Sequence, residues 1–204
     1  MRTFNSLLLL ISTYASQTTL TVSEAGGKIV LRGRSGDRSR TISSSPNDRF
    51  PSLSESEKFV VFVRDVDNDP FTRHIIIVNV KSSAEQVVDV PLANSQWSEF
   101  LAFPQLLDNQ GKVLFVSQRD NRQGDLLQYD LRSRRLRRLL SASSIYRSYC
   151  GDGHIKFLVI LPEQSLRADQ PPRRSSDFRL IDSAGRILNT GNRSLPDLRA
   201  QYCF

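Results

Sequence analysis

Cysteine, histidine and long apolar runs are all scarce in this chain, and each scarcity excludes a class of function. Cys150 and Cys203 are the two cysteines, and no C-x-x-C pair occurs. A structural zinc site, which is built from a full set of Cys and His ligands, is therefore excluded. His74 and His154 are the two histidines. Neither has a cysteine or serine neighbour in a nucleophile motif, and no G-x-S-x-G elbow is present. Both read as surface or turn residues. Beyond the first residues, nothing approaches the roughly 18 apolar residues of a membrane-crossing helix. Helical periodicity is also nearly absent. Its best candidate, Asp125 to Leu140, has too little apolar stripe and too many strand formers.

What is present fits a globular chain. Of 204 residues, 39% are hydrophobic and 24% charged, which suits a folded protein better than a disordered or membrane one. The net charge of +7 and pI near 9.8 favour acidic partners in a general way. The arginines are spread widely, so no dense nucleic-acid stripe stands out and no nucleic-acid partner is expected. At the N-terminus, Arg2 precedes the apolar run Leu7 to Ile11 and the small-residue exit Ser12-Thr13-Tyr14-Ala15-Ser16. This is the order of a secretory signal over residues 1–15, followed by a linker over 16–26. The competing reading of the same run is an edge strand.

The most informative feature is self-similarity at a period of about 50 residues, in the range of repeat architectures. One unit runs from Phe50-Pro51-Ser52-Leu53 through Ser54 to Lys58 into Phe59-Val60-Val61-Phe62-Val63. It resumes at Ile75 to Val80 and ends near Val88. The next has Phe103-Pro104-Gln105-Leu106-Leu107, a turn through Gly111, Val113 to Ser117, Asp125 to Leu131 and Arg135 to Leu140. A third, more degenerate unit has Tyr146 to Cys150, Ile155 to Leu161, Phe178 to Asp182 and Arg186 to Leu188. Lys28 to Ile42 reads as the second half of another unit, and Leu198 to Phe204 as the opening strand of a fourth. Branched and aromatic runs separated by Gly, Asp, Asn and Ser predict four short strands per unit. Four-stranded units at this spacing are the sequence form of a β-propeller.

Pro51 to Phe62 resembles the blade motif of TolB-type propellers, in which a proline precedes an S-P-D-G-K turn and an apolar strand ending in Phe. Pro104 to Phe115 is similar to it at the same length. Leu126 to Leu131 resembles the following strand, with its aspartate before a turn. Ser56-Glu57 replaces the Asp-Gly of the first turn, and Gly111 sits one place late in the second. The expected fold is all-β and propeller-like over residues 27–204, with about three complete four-stranded blades and one split between the termini. Either a small four-bladed ring, in which the two ends meet, or an open half-propeller satisfies this. An open one allows a homodimer.

Cys150 and Cys203 fall at the same place in successive opening strands, and a disulfide between them would fasten the last strand; two buried free thiols are the alternative. The densest charge cluster, Arg132, Arg134, Arg135, Arg137 and Arg138, reads as an outer strand showing charge to solvent. Its functional version is an anion or partner contact through guanidinium forks. Stacking aromatics are not interleaved with it, as single-stranded nucleic acid requires. Asp65, Asp67 and Asp69 alternate as calcium ligands do, but Pro70 and Ile76 stand where an EF-hand needs glycine and glutamate, so a solvated hairpin is the better reading. Trp97, Phe100 and Phe103 form either a contact patch or core between blades. Asn192-Arg193-Ser194 fits a glycosylation sequon, relevant only in a eukaryotic source. No catalytic, cofactor or metal residue is assigned. The TolB-type resemblance implies a non-enzymatic protein-binding or scaffold module of the cell envelope, exported to the periplasm or secreted. Its partner would be a protein or an acidic envelope component. The alternative it implies is the propeller portion of a prolyl-oligopeptidase-type peptidase without its catalytic domain.

Overall fold

Short runs rich in branched and aromatic residues fold into four antiparallel sheets whose inner strands are buried on both faces. The computed structural model describes residues 20–33, 39–43, 45–66, 69–90, 100–118, 124–148, 156–161, 178–188 and 194–202. The first sheet comprises β1 (Leu20–Ala25), β2 (Lys28–Gly33) and β3 (Ser39–Ser43). The second has β4 (Asp48–Leu53), β5 (Phe59–Val66), β6 (Asp69–Asn79) and β7 (Glu85–Val88). The third repeats that plan with β8 (Phe100–Leu107), β9 (Lys112–Gln118), β10 (Gly124–Asp130) and β11 (Leu136–Ser141). The fourth has β12 (Ser144–Arg147), β13 (Lys156–Ile160) and β14 (Phe178–Asp182). Beyond β14, Ile187 forms a single bridge to Ile181 where a regular outer strand was expected.

Strands pair in chain order within each sheet, so every connection is a hairpin. The turn after the third strand uses one device in the second, third and fourth sheets. Asn79 Oδ1 accepts the N–H groups of Lys81 and Ser82, and Asp130 Oδ1 those of Arg132 and Ser133. Asp182 Oδ1 accepts the N–H groups of Ala184 and Arg186. These are side chains closing their own turns.

Three apolar clusters join successive sheets. Ile29 and Leu31 of the first pack with Leu53, Val60, Phe62, Ile76 and Val78 of the second. Val61, Val63, Ile75 and Ile77 pack with Leu106, Val113, Phe115 and Leu127 of the third. Leu114, Val116 and Leu126 pack with Ile145, Phe157 and Val159 of the fourth. Successive residues of one strand thus serve the two faces of its sheet, and Phe62, Phe115 and Phe157 are each fully buried. Each such side chain contributes roughly 1.5–3 kcal/mol by leaving water. Among the described residues no cluster joins the first sheet to the fourth, and the sheets form an open propeller.

Two expectations are corrected. Leu198 to Phe204 was expected as an opening strand, but Leu195–Tyr202 is a helix, α1. Its start carries a capping box. Ser194 Oγ donates to Asp197 Oδ2 at 2.6 Å, and the same carboxylate accepts the Ser194 N–H at 3.1 Å. Pro196 in the first turn suits a helix start and would interrupt a ladder. The meeting of the two chain ends that this strand would have produced is not seen among the described residues. Separately, β1 lies inside the stretch 16–26 expected as linker. Gly26 and Gly27, at φ 58° and 71°, make the two-residue turn that folds it onto β2.

Candidate functional site

The first strands of successive sheets converge while the outer strands diverge: β4 lies against β8, and β8 against β12. The residues on these strands therefore line the narrow axis of the propeller. Phe50 on β4 and Phe103 on β8 occupy equivalent places, each just before a proline and each at a bulge. Arg49 and Ser52 pair with Val63 and Val61, so Phe50 and Pro51 together oppose Phe62. Ala102 and Gln105 bracket Phe103 and Pro104 in the same way. Pro51 and Pro104 cannot donate to a ladder, which makes a bulge the place that tolerates them.

Both phenylalanines are left-handed, at φ 54° and 52°. That conformation costs a bulky residue about 1–3 kcal/mol and persists only where the surroundings hold it. The result is an aromatic row. The Phe50 and Phe103 ring centroids are 4.7 Å apart, and Phe103 and Tyr146 of β12 are 6.4 Å apart. Tilted rings at these distances attract one another. Phe50 and Phe103 are half-buried, and Tyr146 is 42% exposed.

Hydrogen bonds between sheets hold the row rigid. Ser52 Oγ donates to the Pro104 carbonyl at 2.6 Å, and Arg147 Nη1 reaches across to the Leu53 carbonyl at 3.0 Å. Ser56 donates to the Asp108 carboxylate through both its N–H and its hydroxyl. Arg73 Nη1 donates to the Leu101 carbonyl, and its guanidinium lies 4.8 Å from the Phe100 ring centroid.

The basic cluster divides. Arg132, Arg134 and Arg135 are exposed around the β10–β11 turn, with Arg134 left-handed at φ 55°. Arg137 Nη2 donates to the Ala184 carbonyl of the fourth sheet at 3.2 Å. Arg138 pairs with Asp125 at 2.8 Å and donates to Ser141 Oγ. The hydrogen bond to Asp125 raises the Arg138 guanidinium above its ordinary value, against a smaller opposing effect of burial. Two of the five thus fasten sheets or strands, and three face solvent.

Elsewhere, Asp65 is neutralised by Arg73 at 2.6 Å and Arg49 at 3.7 Å, which suits a hairpin more than a cation site. His74 sits half-buried in β6 opposite Arg64. No cluster of metal-ligating side chains occurs among the described residues. Cys150, Cys203, His154, Asp67, Trp97, Asn192, Arg193 and the first 15 residues lie outside the described residues. Among the described residues no helix is long and apolar enough to cross a membrane. The axial row was only partly visible in the sequence. Phe50 and Phe103 stand out in the sequence as repeated positions, whereas their backbone strain and the partnership with Tyr146 leave no local signal. The Phe-Pro pair recurring at one place in two units was the available signal.

No protein-family model matches the chain, and no curated protein matches it. Solved structures are similar in fold. The crystal structure of TolB from Acinetobacter baumannii matches with a TM-score of 0.52 at 16% identity, covering 78% of this chain and 36% of that one. The putative TolB from Agrobacterium tumefaciens matches with a TM-score of 0.52 at 18% identity, covering 79% of this chain and 55% of that one. The chain therefore spans between a third and somewhat over half the length of these two structures. Its blades, their order and their repeated motif have the fold of a TolB-type β-propeller.

Proposed function

We propose that this chain is a non-enzymatic protein-binding or scaffold module of the cell envelope, and that its axial face makes the contact. The observation that carries this reading is the row Phe50–Phe103–Tyr146, partly exposed and held on strained backbone by bonds between sheets. Rigid, partly exposed aromatics bind at low entropic cost and are common anchors of protein contacts. The exposed turn residues Arg132, Arg134 and Arg135 are proposed as a second contact, for carboxylate or phosphate groups of the partner or of an acidic envelope component. Export under a signal over residues 1–15 fits the TolB-type resemblance.

The test is affinity capture from the native envelope with the wild type, Tyr146→Ser, and an Arg132/Arg134/Arg135→Glu variant. A partner retained by the wild type and lost with Tyr146→Ser supports the axial face. Hydrolase activity in the wild type with no captured partner would overturn the reading.

A further inference from the structure

The two ends of the sheets treat charge in opposite ways. Where strands pair in chain order, the turns after the first and third strands lie at one end and the turn after the second at the other. Toward the end of the second turns, cations are matched. Arg64 meets Asp48, Arg49 and Arg73 meet Asp65, and Arg138 meets Asp125. At the opposite end they are not. Lys58 and Lys81 stand at the first and third turns of the second sheet, and Lys112, Arg132, Arg134 and Arg135 at those of the third. All but the half-buried Lys112 are exposed, and none forms an ion pair among the described residues. The carboxylates of this end are otherwise engaged. Asp108 accepts from Ser56, Asp130 closes its own turn, Asp182 pairs with Arg186 and Glu85 with Arg64, while Glu55 and Glu57 are half-buried. Hydrogen bonds hold these turns as one surface. The Val80 N–H donates to the Lys58 carbonyl at 2.8 Å, and the Leu131 N–H to the Gly111 carbonyl at 2.9 Å. Ser56 of the second sheet, donating to Asp108 of the third, joins the two pairs of turns. Unmatched like charge gathered at one end raises self-repulsion, which a partner of opposite charge relieves.

We propose that this end of the propeller docks on the surface of an anionic phospholipid bilayer. The proposal rests on the second contact of the reading above. It names the acidic envelope component and adds Lys58, Lys81 and Lys112 to the three arginines. The make-up of the surface selects among anionic partners. Among the described residues the exposed large apolar side chains are Val87, Tyr146 and Ile187, and none stands in these turns. A protein contact is anchored by side chains of that kind at its centre, and single-stranded nucleic acid by stacked aromatics. A lipid surface needs neither. Its headgroups move laterally, so phosphates gather beneath cations wherever the turns place them, and each cation within a Debye length adds to the attraction. Guanidinium forks and lysine ammonium groups both bind phosphate oxygens.

The test uses the full chain and its sedimentation with vesicles of phosphatidylcholine, alone or in equal parts with phosphatidylglycerol. Binding is expected to the mixed vesicles only, and is expected to be lost near 1 M salt, where the Debye length is about 3 Å. Two double variants that remove the same charge locate the surface. Lys58→Gln/Lys81→Gln is expected to weaken binding about 25-fold, roughly fivefold per cation. Lys28→Gln/Arg179→Gln is expected to change it by less than about twofold. Both of those residues are exposed at the other end, Lys28 beside the turn that Glu24 ties to Arg49 and Arg179 at the start of β14. Arg132→Gln/Arg134→Gln/Arg135→Gln is expected to weaken binding about a hundredfold. The turns keep the bonds from Asn79 and Asp130 that close them, and thermal melting checks each variant. Absence of binding to the mixed vesicles overturns the proposal. So does binding that survives 1 M salt, or an equal loss in the two double variants. If vesicles are not bound while envelope capture still depends on Tyr146, the protein-binding reading stands and only lipid docking fails. Capture lost in the Arg132/Arg134/Arg135→Glu variant in that case assigns the arginines to an acidic protein. Vesicle binding without any captured partner separates the two in the other direction.

Discussion

The second and third sheets follow one plan but fasten their first two strands by opposite chemistry. Pro51 answers to Pro104 and Phe62 to Phe115, and on the same alignment Asp48 answers to Leu101 and Arg64 to Ser117. In the second sheet that paired position holds an ion pair. Arg64 grips the fully buried Asp48 through Nε at 2.7 Å and Nη2 at 3.0 Å, and also Glu85 through Nη1 at 2.7 Å. The Ser43 hydroxyl, from the first sheet, donates to Asp48 Oδ2. The bond to Asp48 holds the Arg64 guanidinium above its ordinary value although partial burial opposes it. In the third sheet the pair is Leu101 and Ser117, 2% and 1% exposed. The same backbone position thus accepts either a satisfied charge pair or an uncharged Leu–Ser pair. A half-satisfied pair is the costly state.

The largest expected effect follows from that contrast. Asp48→Ala removes the buried partner of Arg64, whose part-exposed guanidinium keeps Glu85, and is expected to destabilise the protein by about 1.5–3 kcal/mol in chemical denaturation. The double variant Asp48→Leu/Arg64→Ser, which copies the third sheet, is expected to recover most of the loss, to within about 1 kcal/mol of wild type. A double variant as unstable as the single one would show that the two sheets are not interchangeable here.

A smaller effect concerns the turns after the first strands. The left-handed residue is Glu57 in the second sheet, at φ 59°, and Gly111 in the third, at φ 63° and one place later in the alignment. Only glycine adopts that conformation freely, and a non-glycine residue pays about 1 kcal/mol or more. Glu57→Gly is therefore expected to stabilise by about 1 kcal/mol. Gly111→Ala is expected to destabilise by a similar amount, because nothing lies within 4 Å of an added Cβ and the backbone conformation is the whole effect. Thermal melting of both variants measures the pair, and equal signs would break the comparison.

The smallest effect is one of pH. The equivalent turns are closed by Asn79 in the second sheet and Asp130 in the third. Hydrogen bonds from the Ser133 N–H and hydroxyl, helped by the Arg132 N–H, hold the Asp130 carboxyl below its ordinary 3.8. A lowered pKa in the folded state stabilises above the unfolded value and loses that contribution as pH falls through the folded one. Amide exchange corrected for its intrinsic pH dependence is thus expected to speed up at Arg132 and Ser133 only below about pH 3.8, and at Lys81 and Ser82 not at all. Equal responses in the two turns would show that the carboxylate is not what closes the third-sheet turn.

Much of the fold was legible because repeated units announce themselves twice. The runs Phe59–Val63 and Val113–Ser117, each following a Phe-Pro pair, needed only their branched and aromatic residues and the turn chemistry around them to be read as strands. β1 was not legible, since Leu20-Thr21-Val22-Ser23-Glu24-Ala25 has two large apolar residues and no preceding motif. The helix at Leu195 was missed because its signal is a cap, Ser194 with Asp197, and not an apolar stripe. Asp48 gave no sign of burial, lying in a polar stretch between Asn47 and Arg49. A charge goes inside only when a guanidinium from another strand meets it, and pairing across strands is not written in local spacing.

By itself the sequence determined the blades of this protein. Period, branched and aromatic runs and turn residues are local, and each unit folds its hairpins from neighbours in the chain. Tertiary structure alone decided how the blades meet. It brought Phe50, Phe103 and Tyr146 into one axial row, set Arg64 over Asp48 and tied two of the five arginines into the scaffold. These are contacts between residues tens of positions apart, and only the packing of one sheet on the next selects them.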